Sequence, residues 1–266
     1  MKKFLWPVLA CGLSFHVVAQ EGAEGNGQGE QGPPRWGLGL GAVVTDSAYA
    51  GEGTRVMPFP LVSYNGDHFY VEGLTAGWKF IESNNFNAAV VAKARMDGFD
   101  VKDLGRRELA DNGIDYRLLE DRDKALDLGT KLVWRGGFGE LEFEALAEVT
   151  DASGGQEASL QYGYGFKAGK GQLTPNVGVT WQSKDMGNYY YGTLKEEVAR
   201  GVIDYRPGSV TVPHVGVSYF RPLGEKWSMM GFAQYKLLPD KITDSPLIER
   251  DTDGSATVFL GFMRGF

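Results

Sequence analysis

Residues 158–182 read ASLQYGYGFKAGKGQLTPNVGVTWQ. Two alternating runs meet across the turn Gly169-Lys170-Gly171. In the second run Leu173, Pro175, Val177, Val179 and Trp181 share one face, and Thr174, Asn176, Gly178, Thr180 and Gln182 share the other. In the first, Ala158, Leu160, Tyr162, Tyr164 and Phe166 stand against Ser159, Gln161, Gly163, Gly165 and Lys167. Successive side chains of a strand point to opposite faces. Period-two alternation therefore predicts an antiparallel hairpin with one apolar and one polar face.

The pattern extends upstream. Leu141, Phe143, Ala145, Ala147 and Val149 alternate with Glu140, Glu142, Glu144, Leu146 and Glu148. Before them Leu126, Leu128, Thr130, Leu132 and Trp134 alternate with Asp127, Gly129, Lys131, Val133 and Arg135. A soluble sandwich or a lipocalin-like barrel would turn the apolar face inward. Three features favour lipid outside instead. The strands run about ten to twelve residues, the length a tilted spanning strand needs. Aromatics such as Trp36, Trp78, Trp134, Phe138, Trp181, Trp227 and Tyr235 gather toward strand ends, as interfacial girdles do. Short turns alternate with long loops near 97–123, 183–208 and 239–254, which matches short periplasmic turns and long outer loops. On this reading Leu160, Val177, Val179 and Leu260 face lipid.

The expected fold is all-β, a transmembrane antiparallel up-and-down barrel. Strands are placed near 36–44, 55–64, 68–73, 76–82, 86–97, 124–135, 138–150, 157–168, 171–183, 209–221, 226–238 and 255–266. That gives twelve, with ten as the alternative. Reading 68–81 as a hairpin keeps the count even and the loops on one side. The last strand closes the barrel. Phe266 ends it, and Val258, Leu260 and Phe262 share its face, a pattern similar to the signal read by outer-membrane barrel assembly machinery. Arg264 departs from that pattern, with a stem long enough to snorkel.

The N-terminus explains how such a chain reaches that membrane. Lys2 and Lys3 precede an apolar stretch from Phe4 to Val18, ending in Val17-Val18-Ala19. This reads as a secretory signal over 1–19, cleaved after Ala19. A lipoprotein signal acylated at Cys11 is the alternative, but it would strand the apolar run Leu13–Val18 in the mature chain. Residues 20–35, Gly-rich and acidic, read as a disordered leader, and 36–266 as the barrel domain. The single cysteine lies in the signal, so the mature barrel has neither disulfide nor thiol nucleophile. Loss of Lys2 and Lys3 moves the net charge from −7 to −9, which argues against nucleic acid as a partner. The mean hydropathy of −0.25 suits a barrel in which alternate residues face lipid.

Candidate chemistry is sparse. Glu140, Glu142, Glu144 and Glu148 line one face opposite Lys131, Arg135 and Lys167, and a paired lumen network is expected there rather than acid–base catalysis. His214 with Ser218 lacks an orienting carboxylate, and no zinc pattern accompanies His68 or His214, so no cofactor, metal or enzymatic activity is expected. Acidic loop runs such as 120–123 and 249–253 read as solvated charge rather than cation sites. In the long loop, Thr193 and Glu196 read as a capping box opening a short helix, Leu194–Arg200. That helix is expected to pack over the barrel mouth.

Several segments resemble the MipA/OmpV family. They are Trp36-Gly37-Leu38-Gly39-Leu40-Gly41, Pro58-Phe59-Pro60-Leu61-Val62 leading into Tyr64-Asn65-Gly66-Asp67, Tyr189-Tyr190-Tyr191-Gly192-Thr193 onward to Val210, and Asp244-Ser245-Pro246-Leu247-Ile248 with its sequel. The resemblance spans nearly all of 36–266. It implies a Gram-negative outer-membrane barrel in contact with lipid and lipopolysaccharide. It also implies a scaffold for murein enzymes, a lytic transglycosylase and a murein synthase, with no catalytic residues to carry over. A passive pore, or a surface adhesin or osmoregulated protein, is the alternative.

Overall fold

The computed structural model describes residues 34–266. The signal with Ala19 and Cys11, and the leader up to residue 33, lie outside the described residues. Thirteen strands form one sheet: β1 Trp36–Asp46, β2 Thr54–Asn65, β3 Phe69–Glu72, β4 Thr75–Glu82, β5 Phe86–Arg95, β6 Ala125–Gly136, β7 Gly139–Glu148, β8 Gln156–Gly163, β9 Phe166–Ala168, β10 Gly171–Gln182, β11 Val210–Leu223, β12 Trp227–Leu237 and β13 Gly254–Gly265. Each pairs antiparallel with its neighbours, and β1 pairs with β13, so the sheet is closed. β8 and β9 are two halves of one stave, both paired to β10. The break at Tyr164-Gly165 lies opposite Pro175, which has no N–H to give the ladder. Counted by staves, the barrel has the twelve that alternation predicts.

Facing follows the parity read from sequence. Leu160, Val177 and Leu260 are 43%, 52% and 50% exposed, whereas inward Lys131, Glu144 and His214 are buried. With no water in the hydrocarbon, a barrel is one of the two ways to satisfy every backbone group. No described helix is long and apolar enough to cross a membrane. Trp36, Phe69, Trp134, Phe138 and Trp227 are exposed near the short-turn end, and Trp181 and Tyr235 toward the long-loop end.

The long loops carry four short helices, α1 Arg106–Asp111, α2 Lys184–Tyr191, α3 Lys195–Ala199 and α4 Asp240–Thr243. They build a second hydrophobic core outside the barrel. Ala50, Phe99, Leu104, Leu109, Ile114, Leu119, Val202 and Leu247 cluster there, drawn from four of the outer loops, 47–53, 96–124, 183–209 and 238–253. α2 is capped by Ser183, whose Oγ accepts from the Met186 N–H. The expected Thr193–Glu196 capping box does not form. Thr193 Oγ1 bonds Ile203 O and the Tyr205 N–H across the loop. It is Glu197 that reaches back to the Leu194 N–H, at 2.7 Å.

Candidate functional site in the barrel lumen

The lumen has three layers, and the sequence of each strand sets its share of them. At the outer end sits the lid, held by a buried ion pair. Arg122 and Glu197 side chains are both 0% exposed. The guanidinium uses all its N–H groups. Nη1 and Nη2 donate to the two Glu197 oxygens at 2.8 and 2.9 Å, Nε donates to Tyr189 O, and the remaining donors go to Glu120 O and Gly192 O. A planar fork of five donors matches such a site, and Lys would not. Burial pushes the neighbouring Tyr191 phenol up to about 12, so the lid's aromatic layer stays neutral.

Beneath the lid lies a belt of charges. Arg95 on β5 bonds Asp127 on β6 at 2.7 Å, Glu157 on β8 at 2.9 Å and Asp97 at 2.8 Å. Lys93 reaches Glu144 at 2.7 Å and Lys131 reaches Glu142 at 3.0 Å; at the short-turn end of the same two strands, level with the third layer, Arg135 reaches Glu140 at 2.6 Å. The space left between the belt and the opposite wall is about 90 Å³. His214 borders it, with Nε2 3.3 Å from Gln161 Oε1.

The third layer opens toward the short-turn end and is mostly apolar, with Glu72, Lys79 and Arg135 also on its wall. Val43, Leu61, Met230, Phe232 and Phe259 form its wall, with Phe59, Phe220 and Met263 against them. Gly41 and Gly261 flank Phe259, and a Cβ at either would stand 2.6 Å from its ring. The chamber measures about 590 Å³, and Arg35, Glu225, Lys226 and Trp227 stand at its mouth.

The family described as MltA-interacting protein MipA matches residues 38–266. The chain belongs to this family. The Escherichia coli O157:H7 outer membrane protein YiaT is 32% identical over 217 residues, 80% of this chain and 85% of that one. The MltA-interacting protein of Escherichia coli K12 is 29% identical over 222 residues, 83% and 86% of the two chains. Among solved structures, the NanC porin superposes with a TM-score of 0.45 at 7% identity, covering 86% of this chain and 100% of that one. This MipA-family protein is an outer-membrane barrel, and its relatives carry the names of outer-membrane and interacting proteins rather than of enzymes.

The residues singled out in the sequence fall in different places. Lys131, Arg135, Glu140, Glu142 and Glu144 come together along β6 and β7. Glu144 takes Lys93, a partner sequence reading missed. Lys167 stands apart, exposed beside the β9–β10 turn and in no ion pair among the described residues. Glu148 leaves the network and accepts N–H bonds from Ser153 and Gly154 in the outer turn. Ser218 lies four positions along β11 from His214, facing Thr174 and Phe232 in register. His68 stacks on Trp78 with centroids 5.5 Å apart. Val258, Leu260 and Phe262 face outward, and the Phe266 N–H donates to Trp36 O at 2.9 Å. Among the described residues no cluster of three or more His, Cys, Asp or Glu is arranged to hold a metal.

Proposed function

We propose that this chain is a non-conducting, non-catalytic outer-membrane docking protein whose periplasmic face holds murein-processing enzymes, a lytic transglycosylase and a murein synthase. The supporting observation is the polarity of the barrel along its axis. The outer end is shut by the Arg122–Glu197 lid and the Arg95 belt, whereas the end bearing the short turns is open. Short turns mark the periplasmic side of such barrels. The open, charge-rimmed mouth therefore points at the compartment that contains murein. A relative named MltA-interacting protein supports a protein partner for this face.

In planar bilayers the full chain is expected to give conductance near baseline. Immobilised, it is expected to retain a periplasmic lytic transglycosylase. Retention is expected to survive replacement of Thr193–Gly201 in the outer loop and to be lost when residues 66–68 or 224–226 are changed. Large, steady single-channel conductance with no enzyme retained would sink this reading and favour a passive pore.

The same reading assigns Phe266, with Phe262, Leu260 and Val258, to the signal recognised during barrel assembly. Phe266→Asp is expected to lower the heat-modifiable, folded fraction recovered from outer membranes. An unchanged fraction would remove the assignment.

A further inference from the structure

The β2 strand pairs with β1 along its whole length, Thr54 to Asn65. With β3 it pairs only at Ser63, Tyr64 and Asn65, followed by one bond from the Gly73 N–H to Val62 O at 3.2 Å. The β3–β4 hairpin then turns back at Gly73, whose φ of 57° suits a residue without Cβ. Above that tip the β2 edge has no strand partner among the described residues.

The phase of the ladder says which groups line this edge. The Asn65 N–H donates to Arg35 O at 2.8 Å, so odd-numbered β2 residues turn their backbone toward β1. Even-numbered residues turn theirs toward the gap, as Val62 O does. Two of those even positions are Pro58 and Pro60. Proline has no N–H, and in sheets it is confined to edges. An unsatisfied N–H in lipid costs several kcal/mol, and at both positions it has been removed. The Pro58-Phe59-Pro60 segment thus builds a permanent edge inside a barrel that is otherwise closed.

The apolar chamber reaches this gap. Phe59, Leu61 and Val62 on β2, and Gly73 and Leu74 at the hairpin tip, all line it. Val62 and Leu74 are also each 37% exposed on the outer surface. Chamber and bilayer therefore meet at the hairpin tip. A volume of about 590 Å³ whose walls are mainly apolar and aromatic, with charged groups such as Glu72, Lys79, Lys131 and Arg135 among them, has the size and character of a small-molecule site. Across the chamber, Arg135 has an Nη2 with no hydrogen-bond partner among the described residues. We infer that the chamber binds a single-chain anionic amphiphile, of the fatty-acid kind, that enters from the bilayer between β2 and the β3–β4 hairpin.

The test uses the full chain reconstituted in phosphatidylcholine vesicles, with dansylundecanoic acid as the probe. Saturable fluorescence enhancement is expected. Met230→Trp and Val43→Trp, which fill the chamber from two different strands, are each expected to weaken binding at least about tenfold, equivalent to about 1.4 kcal/mol. Heat-modifiability checks that each variant is folded. The route is read separately, in a Cys11→Ser background, with a maleimide carried on a lipid acyl chain. Leu61→Cys is expected to react at a rate nearer that of lipid-facing Val258→Cys than that of Val210→Cys beneath the lid. Absence of saturable binding by the unmodified chain overturns the site. Binding with Leu61→Cys as slow as Val210→Cys overturns the lateral route. Neither result touches retention of a murein enzyme, so the docking proposal stands or falls on its own experiment.

Discussion

Replacing Glu197 with Ala is expected to open the outer lid while the barrel stays closed, at a cost of about 3–5 kcal/mol. The magnitude follows from what is left behind. Arg122 is always charged, fully buried, and bound by fixed carbonyls on three sides. Without Glu197 its charge has no counterion, and water must enter to solvate it. The Leu194 N–H also loses its acceptor, which frees the first turn of α3. The measurement is protease sensitivity from outside in intact vesicles, paired with heat-modifiability of the barrel on gels. New cleavage in 96–124 or 183–209 with an unchanged barrel band is the expected pattern. Replacing both partners, Arg122→Met with Glu197→Met, is expected to restore much of the resistance, because an apolar pair leaves no buried charge. An uncleaved Glu197→Ala lid would show that the ion pair does not hold it.

The second large effect is expected on the lipid face. Val177 lies midway along β10, 52% exposed, opposite Val215 and Tyr162 in register. Val177→Arg is expected to cost about 2–4 kcal/mol, the range for a basic residue near the bilayer midplane. Its neighbour Asn176 points into the lumen, where Asn176→Arg meets polar surroundings and is expected to cost far less. Denaturant titration of the two variants folded into vesicles separates them. Equal costs would mean that the facing read from period two is wrong.

That facing was legible because one face of most strands is polar. Glu140, Glu142 and Glu144 against Leu141, Phe143 and Ala145 separate the two faces, and strand length and loop pattern then put lipid on the apolar one. β2 and β13 are different. Met57, Phe59 and Leu61 point inward while Val56, Pro58 and Pro60 point outward, and Phe259 and Met263 are as apolar as Leu260 and Phe262. Both faces read alike, so the apolar chamber left no alternation to find. A strand apolar on both faces in an otherwise alternating barrel was itself the clue. The belt was half visible. Lys131 and Arg135 stand directly across β6–β7 from their partners' strand, whereas Lys93 reaches past β6 to Glu144. Lys167 follows the parity rule but sits beside the turn, in no ion pair among the described residues, because parity fixes a face and not a depth. The Arg122–Glu197 pair was not legible at all. Its members are 75 residues apart in irregular loops, where no period relates one position to another.

The lid core gathers Ala50, Leu109, Val202 and Leu247 from four loops that lie between successive pairs of strands along nearly the whole chain. Contacts so distant in sequence carry a high loop-closure cost and form late. Leu247 reaches Ala50, whose N–H it holds through its carbonyl at 2.9 Å, only when β13 has zipped onto β1 and brought the two ends of the sheet together. The exterior of this protein is thus a timestamp of biogenesis. A chain stalled with its seam unsealed would display frayed loops to the outside even with every hairpin formed, and a binder selected against the finished lid would report completed insertion one molecule at a time.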